Sequence, residues 1–167
     1  FLNALSNLIP KDELVGVIEN ITELQVAEFD NFVSLEANSV DGASDRNVKI
    51  EDLIKASVKL NADRVVVGEI QAGAVMELMR VMNTGQARVL GTISANSTKE
   101  MFDQLEMMAL QEMKSLPLDV IRRQIASAID IVVFVSKLSD ESRKVMEICE
   151  VLDYENGDIK LNVLYRL

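Results

Sequence analysis

The residues best able to do chemistry stand at the ends of apolar runs. Val65, Val66 and Val67 lead into Gly68 and Glu69. An unbroken β-branched run marks a parallel strand buried on both faces, and α/β sheets place ligands beyond the carboxyl ends of such strands. An acid at that point, Glu69, can orient a water or hold a hydrated Mg²⁺; a plain core strand closing on a solvent-facing Glu fits the pattern equally. Glu19 and Glu23 follow the run Leu14–Ile18 in the same way. Paired carboxylates there can hold hydrated Mg²⁺ or activate water, and they can also be ordinary loop acids. A third set, Thr92, Ser94 and Asn96, closes the run that begins after Thr84-Gly85. Hydroxyls and an amide at a strand end can sense a terminal phosphate; a turn leading to a helix N-cap is the alternative.

What is missing narrows the chemistry. The 167 residues include no His, which removes a His-based triad and the commonest metal ligand. Cys149 is the one cysteine, so no disulfide forms within the chain, and its apolar strand context reads as buried and inert. Lys and Arg total 17 against 27 Asp and Glu, a net charge of -10, and from Phe1 to Asp45 nine acids face the single base Lys11. That balance disfavours nucleic-acid binding and a basic membrane-surface helix. No apolar run nears the roughly 18 residues of a membrane span, and the start lacks a signal peptide's basic and apolar regions. With 49% hydrophobic residues, one soluble, cytosolic domain with a sizeable core is expected.

The elements that must position these residues alternate between strand and helix, the pattern of an α/β domain with a mainly parallel sheet. Strands are expected at Leu14–Ile18, Phe32–Leu35, Arg64–Glu69 and Val89–Ser94. Helices are expected at Phe1–Leu8, Ile50–Leu60, Gly73–Asn83, Thr98–Met113 and Leu118–Ile129, with Ser97 or Thr98 as an N-cap ahead of Glu100. The polar stretch Asn38–Asn47 reads as a loop. Asp130–Ser136, Lys144–Asp153 and Ile159–Leu164 read as closing strands, the last two joined at Asn156-Gly157. The methionines Met101, Met107, Met108 and Met113 read as core or a subunit contact.

Several segments, in order, also resemble one family. They are Phe1-Leu2-Asn3-Ala4-Leu5-Ser6-Asn7, Ile18-Glu19-Asn20, Glu23-Leu24-Gln25, Asp63–Glu69, Met82-Asn83-Thr84-Gly85, Ala95-Asn96-Ser97 and Arg123–Asp130. Together they resemble the C-terminal motor domain of CpaF-type (Tad/Flp) pilus-assembly ATPases, in the type II/type IV secretion ATPase superfamily. The resemblance implies a RecA-like P-loop NTPase fold over residues 1–167, with a mainly parallel sheet flanked by helices and closing antiparallel strands. It implies ATP and Mg²⁺ as cofactors and a cytoplasmic hexameric ring of like subunits. Such a ring would be held peripherally at the inner membrane by a platform protein, with no nucleic acid and no membrane insertion of its own. By position, Glu69 is similar to the Walker B acid, Glu19 and Glu23 to the Asp-box acids, with Mg²⁺ held through water by Glu19 and Glu69. Thr92 and Asn96 fall in the His box, and Arg64 matches a base ahead of the Walker B strand.

The departures are as specific. In this family the Walker A loop, Gly-x-x-x-x-Gly-Lys-Thr, precedes the segment that starts at Phe1, and nothing in the chain replaces it. Asn20, Ser94, Gln86 and Gln71 stand where the family has Asp, His, His and Arg, while Ser34 and Asn38 replace arginines. Each lost arginine removes a donor fork suited to phosphate. The resemblance therefore implies either part of an ATP-hydrolysing motor or a degenerate ring subunit that does not hydrolyse.

Overall fold

The computed structural model describes residues 1–20, 31–37 and 48–167, which form two compact units, Phe1–Ile93 and Ser94–Leu167. The first unit carries α1 (Leu2–Ser6), β1 (Val15–Glu19), β2 (Phe32–Glu36), α2 (Ile50–Lys59), β3 (Arg64–Val67), α3 (Val75–Asn83) and β4 (Arg88–Gly91). Among the described residues its strands pair in parallel, in the order β2-β1-β3-β4.

Side-chain alternation divides this sheet's two faces between the helices. Ile18, Val65 and Val67 pack with Leu53 and Ile54 of α2 and Leu78 and Val81 of α3. Val15, Val17 and Val66 pack with Ile9, Leu2 and Leu90 on the α1 side. Covering both faces is why Val15–Ile18 of β1 and the valines of β3 are buried without a polar break. Gly16 lets α2 approach closely: a Cβ there would lie 2.7 Å from Ser57 Oγ.

Several boundaries differ from the sequence expectation, β3 ending at Val67 rather than Glu69 among them, and two of the differences have a clear local reason. The helix expected from Gly73 begins at Val75, because Gly73 has φ +96°, outside the helical region. The strand expected to reach Ser94 stops at Gly91 because Thr92 turns its hydrogen bonds onto the segment after β3. The loop expected over Asn38–Asn47 lies outside the described residues.

The amino-terminal edge of the sheet is tied by one carboxylate. Glu13 accepts from Arg64 Nε and Nη2 at 2.8 and 3.1 Å and from Arg88 Nη1 at 2.7 Å. The Leu14 N–H donates to Asp63 at 2.8 Å beside it. The Arg64 guanidinium holds the Glu13 carboxyl below its ordinary value, against the opposing effect of burial. A depressed folded pKa gives stability that is full above the unfolded value, 4.5, and is lost as pH falls through the folded one. Glu13→Gln is expected to lower stability at pH 7 and to flatten the decline on acidification. Urea midpoints between pH 7 and 3 read this, and a curve parallel to that of the unsubstituted protein would show the bridge contributes nothing.

The second unit holds α4 (Thr98–Glu112), α5 (Leu118–Ala128), β5 (Ile131–Lys137), β6 (Arg143–Glu155) and β7 (Asp158–Arg166). The strands form an antiparallel sheet in chain order, with the β6–β7 turn at Asn156-Gly157, both at positive φ as a type I′ turn requires. Ile121 and Ile125 of α5 and Cys149 and Val151 of β6 are buried. Arg122 joins α5 to α4 through a bidentate pair with Glu106 at 2.7 and 3.1 Å. Ser97 caps α4 by accepting from the Glu100 N–H at 3.1 Å. Thr98, buried at the start of α4, donates to Glu147 of β6 at 2.5 Å, and Arg166 of β7 pairs with the same carboxylate. Among the described residues no helix is long and apolar enough to cross a membrane.

Candidate functional site

The parallel sheet brings three of the sequence candidates, Glu19, Glu69 and Thr92, to one edge. β1 and β3 are neighbours with Ile18 opposite Val67, so Glu19 and Gly68-Glu69 leave adjacent carboxyl ends together. Glu19 is buried, and a Cβ on Gly68 would lie 3.1 Å from its Cγ. Glycine at position 68 is what lets the Glu19 side chain lie across the end of β3. Glu69 is exposed, in the segment that runs off the strand.

The chain around Glu69 is held on both sides. The Gly68 N–H donates to Ile18 O at 2.9 Å, and the Ile70 N–H donates to Thr92 O at 2.8 Å. The Thr92 hydroxyl donates to Gly68 O. On the far side Ile70 lies against Gly91, where a Cβ would come within 2.9 Å of its Cδ1. The sequence marks Gly68 only as the residue that closes the valine run, and it gives Gly91 no role. Glycine at a strand end is a signal of close approach, but which side chain approaches is set by the neighbouring strand.

Of the other candidates, Arg64 lies at the opposite edge of the sheet, Asn96 belongs to the second unit and Glu23 lies outside the described residues. Arg64 opens β3, five residues from Glu69, about 16 Å of extended chain, and is bonded to Glu13. The amide and N–H of Asn96 both bond to Glu100 at 3.1 to 3.2 Å. Cys149 is buried, and burial pushes its thiol up from the ordinary value, as expected of an inert cysteine. Of the methionines on or beside α4, Met101 is core while Met107 and Met113 are exposed.

Among the described residues, no three of His, Cys, Asp and Glu come together as a metal cage. The neighbouring strand ends offer two carboxylates, a hard-oxygen set that suits Mg²⁺, an ion that keeps most of its waters and takes one or two carboxylates. Beside them, among the described residues, a cavity of about 390 Å³ opens between the sheet edge and the starts of α2 and α3. Asn20, Lys49, Glu51, Gln71 and Gly73 are among its lining. Gln86, where the resemblance expects a His, accepts from Arg80 Nη1 at 3.1 Å.

A covered parallel sheet with acids gathered at its carboxyl edge defines an α/β protein, the class whose ligands bind at that edge. Comparison with known proteins gives the family. A model described as type II/IV secretion system protein matches residues 1–162, and the chain belongs to that family. Conjugal transfer protein TrbB of Rhizobium radiobacter is 30% identical over 148 residues, 89% of this chain and 42% of TrbB. Type IV secretion system protein VirB11 of Brucella suis is 27% identical over 140 residues, 80% of this chain and 38% of that protein. The crystal structure of the VirB11 ATPase from the Brucella suis type IV secretion system, in complex with sulphate, superposes with a TM-score of 0.76. Its identity is 23%, over 89% of this chain and 44% of that one. The pilus retraction motor PilT with bound ADP superposes at 0.59 with 14% identity, over 97% of this chain and 41% of that one. Both likenesses establish the α/β fold, with its parallel sheet and C-terminal antiparallel strands. The chain spans less than half the length of these relatives.

Proposed function

We propose that this chain is the C-terminal part of a motor subunit that hydrolyses ATP in a type IV secretion-class machine. The observation that carries this reading is the meeting of Glu19 and Gly68-Glu69 at the ligand edge of the parallel sheet. In it, Glu69 orients the attacking water and receives its proton as the γ-phosphoryl group leaves ADP. Glu19, with Glu69, would hold a hydrated Mg²⁺ through its waters, and the ion would supply charge neutralisation at the phosphates. The phosphate cradle would come from a Walker A loop upstream of Phe1. The relatives named for conjugal transfer and type IV secretion support the motor reading. The sequence segments from Phe1 to Asp130 favour the CpaF-type, Tad pilus branch, working as a cytoplasmic ring of like subunits on an inner-membrane platform.

A second reading, a ring subunit that binds without hydrolysing, draws on Asn20 and Gln71. Both are neutral where the resemblance expects charge, and both line the cavity at the same edge. Phosphate release by the full gene product, with and without a chelator, decides between them. The motor reading expects ATP turnover that stops when Mg²⁺ is removed. ATP binding with no turnover would establish the second reading instead.

A further inference from the structure

We propose that Thr92 is a positioning residue for Glu69, acting on the backbone rather than on the nucleotide. The inference rests on the hydrolytic role given to Glu69 above. A threonine hydroxyl has one hydrogen to donate, and in Thr92 that hydrogen is committed to Gly68 O. Offering it to a phosphate would mean releasing the carbonyl that immediately precedes Glu69.

The same residue holds the other side. Thr92 O accepts the N–H of Ile70, so one residue of the chain leaving β4 fastens the peptide units before and after Glu69. Packing agrees with the hydrogen bonds. Gly91 has no side chain, and Ile70 fills the place a Cβ would take, 2.9 Å from its Cδ1. On the opposite side Glu19 occupies the space next to Gly68. Glu69 is itself exposed and has left the strand ladder, so these flanking contacts restrain the direction in which its carboxylate leaves the chain. A general base displaced by about 1 Å can lose two orders of magnitude, so the clamp matters to the rate more than to the fold.

The test uses the full gene product with Thr92→Val, which keeps the shape and removes the hydroxyl, Thr92→Ser, which restores it, and each of these combined with Glu69→Gln. Two readouts are taken: amide exchange over residues 66–72, and kcat and KM for ATP. Thr92→Val is expected to speed exchange in that segment roughly tenfold, the scale of one lost hydrogen bond, and to lower kcat about tenfold with KM unchanged. Thr92→Ser returns both toward the parental values. In the Glu69→Gln background, Thr92→Val lowers kcat no further, because there is no base left to position. Unchanged exchange would overturn the proposal. So would a rise in KM with kcat intact, or a loss in kcat that adds in full to that of Glu69→Gln. Faster exchange in a protein whose turnover ignores Glu69→Gln upholds the clamp and removes the hydrolytic role of Glu69 instead.

Discussion

Glu69→Gln in the full gene product is expected to lower ATP turnover by roughly a hundred- to thousand-fold, the range of a positioned general base. The amide keeps the shape and the accepting oxygen of the carboxylate but cannot take a proton from water. Glu69 is exposed, off the end of β3, so the substitution leaves the valine core untouched. Stability should therefore change by less than about 0.5 kcal/mol. ATP affinity, measured with a fluorescent analogue, should hold or rise, since neutralising an acid near polyphosphate removes repulsion. Equal turnover in the two proteins would place the base elsewhere, with buried Glu19 the first residue to examine. Equal loss of binding and turnover would mean that Glu69 supports the bound ground state instead.

The second large effect concerns the fold. Ile54→Ala is expected to cost about 2–5 kcal/mol, the usual range for deleting a buried branched side chain from a packed core. Ile54 is at 0% exposure among residues from β1, β3 and α3, so its removal leaves a void lined from several sides. Leu60, just past the end of the same helix, is 48% exposed, and Leu60→Ala should change stability far less. Urea unfolding of both variants makes the comparison. A cost below 1 kcal/mol for Ile54→Ala would mean that α2 settles onto the sheet and closes the gap.

Local signals carried much of this architecture. Three valines in a row located β3, and apolar spacing located α2 and α3. Asn156-Gly157 located the β6–β7 turn, because only that backbone geometry matches the strands' twist. Glu19 and Glu69 were legible as candidates because a strand's direction fixes which of its ends carries the ligand edge. What stayed hidden depends on contacts distant in sequence. Nothing near Glu13 announces Arg64 and Arg88, 51 and 75 residues away. Arg64, a candidate by resemblance, is close to Glu69 in sequence, and an extended strand carries the two to opposite edges. The hydroxyl of Thr92 has the composition of a phosphate sensor, and its carbonyl partner on Gly68 is set by the pairing of β3 with β4. Gly73 reads as the first residue of a helical run by hydropathy alone, and only its φ excludes it.

The buried thiol of Cys149 has a practical consequence. It is the chain's only sulfhydryl, and it lies in the second compact unit, while the Glu69 segment and the Ile54 core lie in the first. A thiol-directed label in solution therefore marks openings of the antiparallel unit that uncover Cys149. One thiol in one half of the chain is a single-channel recorder, and the opening of that half can be timed without introducing a further cysteine.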